Sequence, residues 1–187
     1  MQPFDNTGLT LETPRLLLRP FTQDDLHDFN AYASVPGVGE AAGWPHHKTL
    51  EESQKILDMF LRETDKFALY HKADNKVIGS LGLHKSWTDE LEAYNHLKAY
   101  EMGYVLSKEY WGQGLVVEAA QVVIDHLFNI CKLDAVSICH FLENMQSRRV
   151  IEKLGFKFIM EDKYYSKQMD KEYDDMKYLF LNPTKPI

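Results

Sequence analysis

Tyr110 to Ala119 reads YWGQGLVVEA, with Gly112 and Gly114 placed where an apolar helical pattern begins. Glycine inside a helix costs roughly 0.5–1 kcal/mol relative to alanine, so two of them at a helix mouth need a reason. A strand, a short loop, two glycines and a helix make an anion site. The first helical turn has N–H groups without helical partners, the helix dipole favours negative charge there, and glycine admits a phosphate oxygen that a Cβ would obstruct. A tight turn explains the same glycines without a ligand. Upstream, Glu101 puts a carboxylate into the otherwise apolar stretch Tyr100–Leu106. Burial there would raise its pKa towards that of a useful proton acceptor, whereas a solvent-facing position or an ion pair would make it structural. Asn144 and Ser147 form Asn-x-x-Ser at a second helical start, a position asparagine favours as an N-cap. Arg148 and Arg149 follow in the first turn, where the dipole disfavours cations; an anionic ligand or a carboxylate partner would account for them.

The elements that must hold these residues follow from periodicity and punctuation. Arg15–Phe21 is a short apolar strand. Thr22–Ser34 is helical, with Thr22 as cap and Leu26, Phe29 and Ala33 on one face. Val35–His47 is a loop rich in Gly and Pro. Thr49–Thr64 is a second helix, capped by Thr49 with Glu52 three residues on. Two strands, KFALYHK and KVIGSLGLHK, flank the turn residues ADN. Ser86–Lys98 is a polar, aromatic excursion, and Ala99–Ser107 is the next strand. A long helix runs from Val116 to Ile130, followed by the strand Asp134–Leu142. Glu143–Gly155 forms a short helix ended by Gly155. FKFIMEDKYY and YDDMKYLFL close the chain as an antiparallel pair. This order predicts one α+β domain over residues 1–187, a mixed, mostly antiparallel twisted sheet with helices on both faces.

Composition narrows the function classes. A net charge of −7 opposes a nucleic-acid surface, which needs a basic stripe, and mildly favours cationic partners. No apolar run approaches the roughly 18 residues of a membrane span, and the N-terminus reads as no secretory signal, so a cytoplasmic protein is expected. Cys131 and Cys139 lack metal-ligand spacing and read as buried or half-buried free thiols. His46-His47 has no third ligand nearby in sequence and reads as surface loop, so no metal is expected.

Three phosphate ligands compete for the glycine loop. A P-loop needs a Lys-Ser or Lys-Thr that is missing here. A dinucleotide fold needs a third glycine where Val117 stands, and Asp134, about twenty residues on, precedes a strand instead of ending one. Coenzyme A, whose pyrophosphate also sits on a helix mouth, remains. Four segments in order, LETPRLLLRPFTQDD, YEMGYVL, YWGQGLVVEA and ENMQSRRVIEKLGF, resemble the GNAT superfamily of N-acetyltransferases. Within it they are similar to the RimJ/RimL-like ribosomal-protein acetyltransferase branch. The third segment resembles the acetyl-CoA loop, Arg/Gln-x-x-Gly-x-Gly/Ala. Trp111 takes its first position, and Val116 takes its last, where branched bulk would crowd a pyrophosphate.

The resemblance implies acetyl transfer from acetyl-CoA to a primary amine, either a protein N-terminal α-amine or a small amine. It implies that Trp111, Gly112, Gln113, Gly114, Leu115 and Val116 form the cofactor loop. The backbone of Tyr104, Val105 and Leu106 would meet the pantetheine arm where the sheet splays, with no side-chain chemistry needed there. Asn144 would face the arm, Ser147 the sulfur, and Arg149 the nucleotide phosphates. Glu101 is the candidate base. Many relatives carry a tyrosine in the last helix where this chain has Ile151, which excludes a general acid from that place. Acidic and aromatic residues suit a cationic acceptor, so Glu40, Trp44 and Trp87 are the candidate substrate contacts. The alternative is an acyl-CoA-binding module with little turnover. A monomer or a homodimer through a sheet edge near the C-terminus is expected.

Overall fold

The computed structural model describes residues 1–185. Its strands are β1 (Leu11–Glu12), β2 (Leu16–Pro20), β3 (Lys66–His71), β4 (Lys76–Lys85), β5 (Ala99–Leu106), β6 (Ala135–Phe141), β7 (Lys157–Ser166) and β8 (Lys171–Leu181). They form one sheet in the order β1-β2-β3-β4-β5-β6-β8-β7. Its helices are α1 (Leu26–Ala33), α2 (Leu50–Glu63), α3 (Leu115–Asn129) and α4 (Met145–Lys153). The predicted α+β architecture is the observed one. The structure adds β1, too short for periodicity to reveal, and α1 starts at Leu26 after a 3-10 turn over Gln23–Asp25, four residues later than expected; α3 starts and stops one residue earlier than expected.

Sheet alternation explains the two layers. Phe67 and Leu69 of β3 enter a core with Leu115, Ala119, Val123 and Leu127 of α3 and with Ile151 of α4. Ala68 and Tyr70, pointing the other way, meet Phe29, Tyr32 and Ala33 of α1 and Leu57 of α2. Local chemistry marks the helix ends. Thr49 accepts from the Glu52 N–H at 3.2 Å, and the Glu52 carboxylate reaches back to the Lys48 N–H at 2.6 Å. Gly155, at φ +85°, turns the chain out of α4.

β5 and β6 are the parallel pair, because α3 carries the chain back across the sheet between them. Their ladder stops at Met102↔Ile138, while β5 stays paired with β4 as far as Leu106↔Gly79. The sheet therefore splits beyond Met102. Along Gly103–Leu106 the side of β5 that faces β6 has no strand partner.

One expectation needs correction. Cys131 is exposed, because it lies just past the end of α3 instead of on its apolar face. Cys139 is half-buried, as expected, and both thiols are free.

Candidate active site

The split opens a cleft of about 2100 Å³ that crosses the sheet from the mouth of α3 to β8. Every predicted site residue lines it except Gln113. Gln113 turns outward; its amide donates to the Glu109 carbonyl at 3.1 Å.

At the α3 end, Gly112 and Gly114 both have φ +77°, a region L side chains rarely adopt. A Cβ on Gly112 would meet nothing within 4 Å, and one on Gly114 would meet only Arg15 Nη2 at 3.9 Å. The glycines thus serve the turn and leave its outer surface bare. The first helical bond of α3 runs from the Glu118 N–H to the Gly114 carbonyl at 3.1 Å, so the N–H groups of Leu115, Val116 and Val117 precede it. The expected crowding by Val116 depends on where its side chain lies. Its side chain is only 6% exposed and packs into the core with Leu115, because the helix rotates both inward. Trp111 closes the loop from the strand side, its indole N–H donating to the Leu106 carbonyl at 2.8 Å.

Arg15 was not singled out by any local signal, yet it fastens this loop. Its Nη1 donates to the Gln113 carbonyl at 3.0 Å and its Nε to Glu118 Oε2 at 2.7 Å. Thr13 Oγ1 and the Arg15 backbone N–H bind the other Glu118 oxygen at 2.5 and 2.9 Å. About a hundred residues of chain separate these partners, so no spacing rule reveals them.

In the middle of the cleft, Tyr104 does more than lend its backbone. Its hydroxyl lies 2.8 Å from Ser147 Oγ, linking β5 to the first turn of α4 across the split. Burial pushes the Tyr104 phenol up, so it stays protonated and can donate. A tyrosine hydroxyl therefore enters the cleft from β5, although Ile151 in α4 is wholly buried in the core. Asn144 caps α4: its Oδ1 accepts from the Ser147 N–H at 3.0 Å, and its Nδ2 donates to the Ala41 carbonyl at 3.1 Å. Arg148 is bound to Glu152 at 2.8 Å, the plain ion-pair reading, and Arg149 is exposed on the cleft rim.

Glu101 sits where the β5–β6 ladder is about to end. Burial raises its carboxyl above the ordinary range; a hydrogen bond from Cys139 opposes this, and the nearby Asp175 adds to it. The Cys139 thiol donates to Glu101 Oε1 at 3.4 Å. Trp87 is 6% exposed, from a short 3-10 turn over Trp87–Glu90, and packs edge-on against Tyr94.

Glu40 and Trp44 line the far wall on the loop before α2. Burial pushes the Glu40 carboxyl up, but bonds from the His46 ring and from the Gly37 and His46 backbone N–H groups outweigh it, giving about 2. His46 Nδ1 lies 2.7 Å from Glu40 Oε1, and the Gly37 N–H reaches Oε2 at 2.6 Å. Both oxygens are therefore engaged by their own loop. His46 and His47 are half-buried instead of fully on the surface, and His47 Nδ1 is 2.8 Å from Ser53 Oγ. Among the described residues, no helix is long and apolar enough to cross a membrane.

Comparison with known proteins fits this geometry. Residues 15–157 match the acetyltransferase (GNAT) domain model. The uncharacterized N-acetyltransferase YoaA of Bacillus subtilis (strain 168) is 25% identical over 180 residues, covering 94% of this chain and 98% of that protein. A GNAT-family acetyltransferase from Bacillus anthracis superposes with a TM-score of 0.80 at 23% identity, covering 93% of this chain and 99% of that one. A ribosomal-protein alanine acetyltransferase from Vibrio fischeri gives 0.69 at 20% identity, covering 95% and 100%. Acetyltransferases of this family use acetyl-CoA as cosubstrate. The chain belongs to the GNAT family of acetyltransferases, and it is an N-acetyltransferase.

Proposed function

We propose that this protein transfers acetyl from acetyl-CoA to a primary amine by direct attack, with Glu101 as the base. The observation that carries this reading is the break in the β5–β6 ladder at Met102. It leaves the open backbone of Tyr104, Val105 and Leu106 between the glycine mouth of α3 and the Glu101 carboxylate. The pantetheine arm pairs with that open edge as an added strand would. Its pyrophosphate rests on the N–H groups at Gly112–Val117, with Arg149 at the rim. Backbone N–H groups along the edge polarise the thioester carbonyl as charge develops on its oxygen.

The amine is neutral when it attacks, so its proton must leave first. Glu101 takes it, and the raised pKa of the carboxyl suits that work. The thiolate that departs is stabilised by the Tyr104–Ser147 hydroxyl pair, which replaces the α4 tyrosine lost at Ile151. Asn144 holds α4 and the Ala41 loop against the arm. The acceptor enters past Trp44 and Trp87, with Glu40 fixing the loop that carries Trp44. We read the acceptor as a protein N-terminal α-amine or a small amine, on a RimJ/RimL-like plan. The ribosomal-protein acetyltransferase among the structural neighbours supports that branch. We place the protein in the cytoplasm, as a monomer or a homodimer through the free edge of β7.

The test is mass-spectrometric detection of acetylated product from a panel of amines and N-terminal peptides, run beside melting curves with acetyl-CoA and NAD. Stabilisation by acetyl-CoA alone, with a mass gain of one acetyl group, is expected. Stabilisation without product from any amine would favour the binding-module reading.

A further inference from the structure

A second carboxylate stands beside Glu101. Asp175, in the middle of β8, is 5% exposed, and its Oδ1 is buried without a hydrogen-bond partner. It lines the same cleft. The Cys139 thiol donates to Glu101 at 3.4 Å, and Phe141, two residues further along β6, faces Asp175 across the β6–β8 ladder. The nearby cation, Lys177, is committed elsewhere: its ammonium binds Asp162 and lies 5.8 Å from the centre of the Trp87 ring. A buried carboxylate oxygen left unpaired is costly, so a ligand that supplies the missing donor is strongly favoured. The aromatic walls agree, with Phe141 and Tyr173 stacked at 4.1 Å beside Asp175.

We propose that Asp175 anchors the acceptor as its ammonium ion beside Glu101, so that this protein selects amines that arrive charged. This rests on the acetyl-transfer reading above. One N–H of R–NH3⁺ bonds to Asp175 Oδ1 and another to Glu101. Glu101 takes the second proton, leaving R–NH2 held by Asp175 with its lone pair free. The nitrogen attacks the thioester carbon, the C–N bond forms, and the C–S bond breaks. The remaining surplus proton on nitrogen passes to the departing sulfur, and Glu101 later returns its proton to water. The bound ammonium holds Asp175 ionised, against the burial that raises its carboxyl. It selects the cation, and Glu101 makes it reactive.

Two isomers of one formula test this: 2-phenylethylamine, a cation near neutral pH, and 4-ethylaniline, which is uncharged there. Calorimetry measures the binding of each to the CoA-loaded protein. The wild type should prefer the cation by at least about tenfold, the range of one charge-assisted bond. Asp175→Asn should abolish the preference while leaving CoA affinity unchanged, which also reports an intact fold. Asp175→Glu, which keeps the charge, should retain the preference. Equal binding of the isomers by the wild type, a preference that survives in Asp175→Asn, or no binding of either amine at millimolar concentration would overturn the proposal. The activity reading fails separately. Replacing CoA by acetyl-CoA would then give no acetylated 2-phenylethylamine although the binding preference is intact.

Discussion

Glu101 is where a single atom's environment decides the chemistry. Glu101→Gln keeps the shape and the Cys139 contact but cannot take a proton, so kcat should fall about 10²- to 10⁴-fold with acetyl-CoA affinity unchanged. The pH dependence has a definite sign. The base works when deprotonated, and burial raises its pKa, so kcat/KM should climb with pH through a midpoint above the ordinary carboxylate value. Tyr104→Phe and Ser147→Ala remove two ends of one hydrogen bond. Each should slow turnover, and the double variant should cost less than the sum, which a double-mutant cycle measures. Glu101 was legible in the sequence because a carboxylate in an apolar strand is anomalous. The Tyr104 side chain was not, since a tyrosine in a strand packs more often than it reacts. Asp175 lay unmarked among the acidic residues of β8, because only the register of β6 against β8, which sets it opposite Phe141, brings it to the cleft.

The loop before α3 joins two demands that a sequence presents as one. Both glycines sit at φ +77°, and Gly112→Ala would meet no neighbour. Its cost is therefore backbone strain alone, expected at roughly 1 kcal/mol or more. A denaturant melt gives that number, and a companion titration should show weaker acetyl-CoA binding as the loop relaxes. Arg15→Ala should weaken acetyl-CoA binding too, while leaving kcat at saturation nearly unchanged, because it frees the Gln113 carbonyl and loosens Glu118. The glycine pair, the Asn144 cap and the Gly155 stop were readable from local rules, since each acts within a few residues. The Arg15–Glu118 clasp and the break in the β5–β6 ladder join distant segments, and local pattern carries no trace of them. The Glu40 loop has its own pH signature. Its carboxyl is depressed to about 2, so the contribution is full above the ordinary carboxylate value and is lost as pH falls through about 2. Fluorescence of Trp44 should report the loop loosening over that acid window.

At the scale of the whole molecule, apolar cores on both faces clamp one split sheet, and the cleft opens where the β5–β6 ladder ends. Leu57, fully buried under α1, is remote from Glu101. Leu57→Ala should cost about 2–5 kcal/mol of stability, read by melting, with kcat preserved below the transition. The layer order was legible because hydrophobic periodicity sets which face each helix and strand buries. The central claim is that the carboxylate at the split deprotonates an amine attacking acetyl-CoA. Its most direct test is the pH profile of CoA thiol release, measured with saturating amine, for the wild type and for Glu101→Gln. The account predicts a wild-type rise through a carboxylate-like midpoint shifted upward, and a much slower variant whose profile has lost that step. An identical rise in both proteins would contradict it and move the base elsewhere.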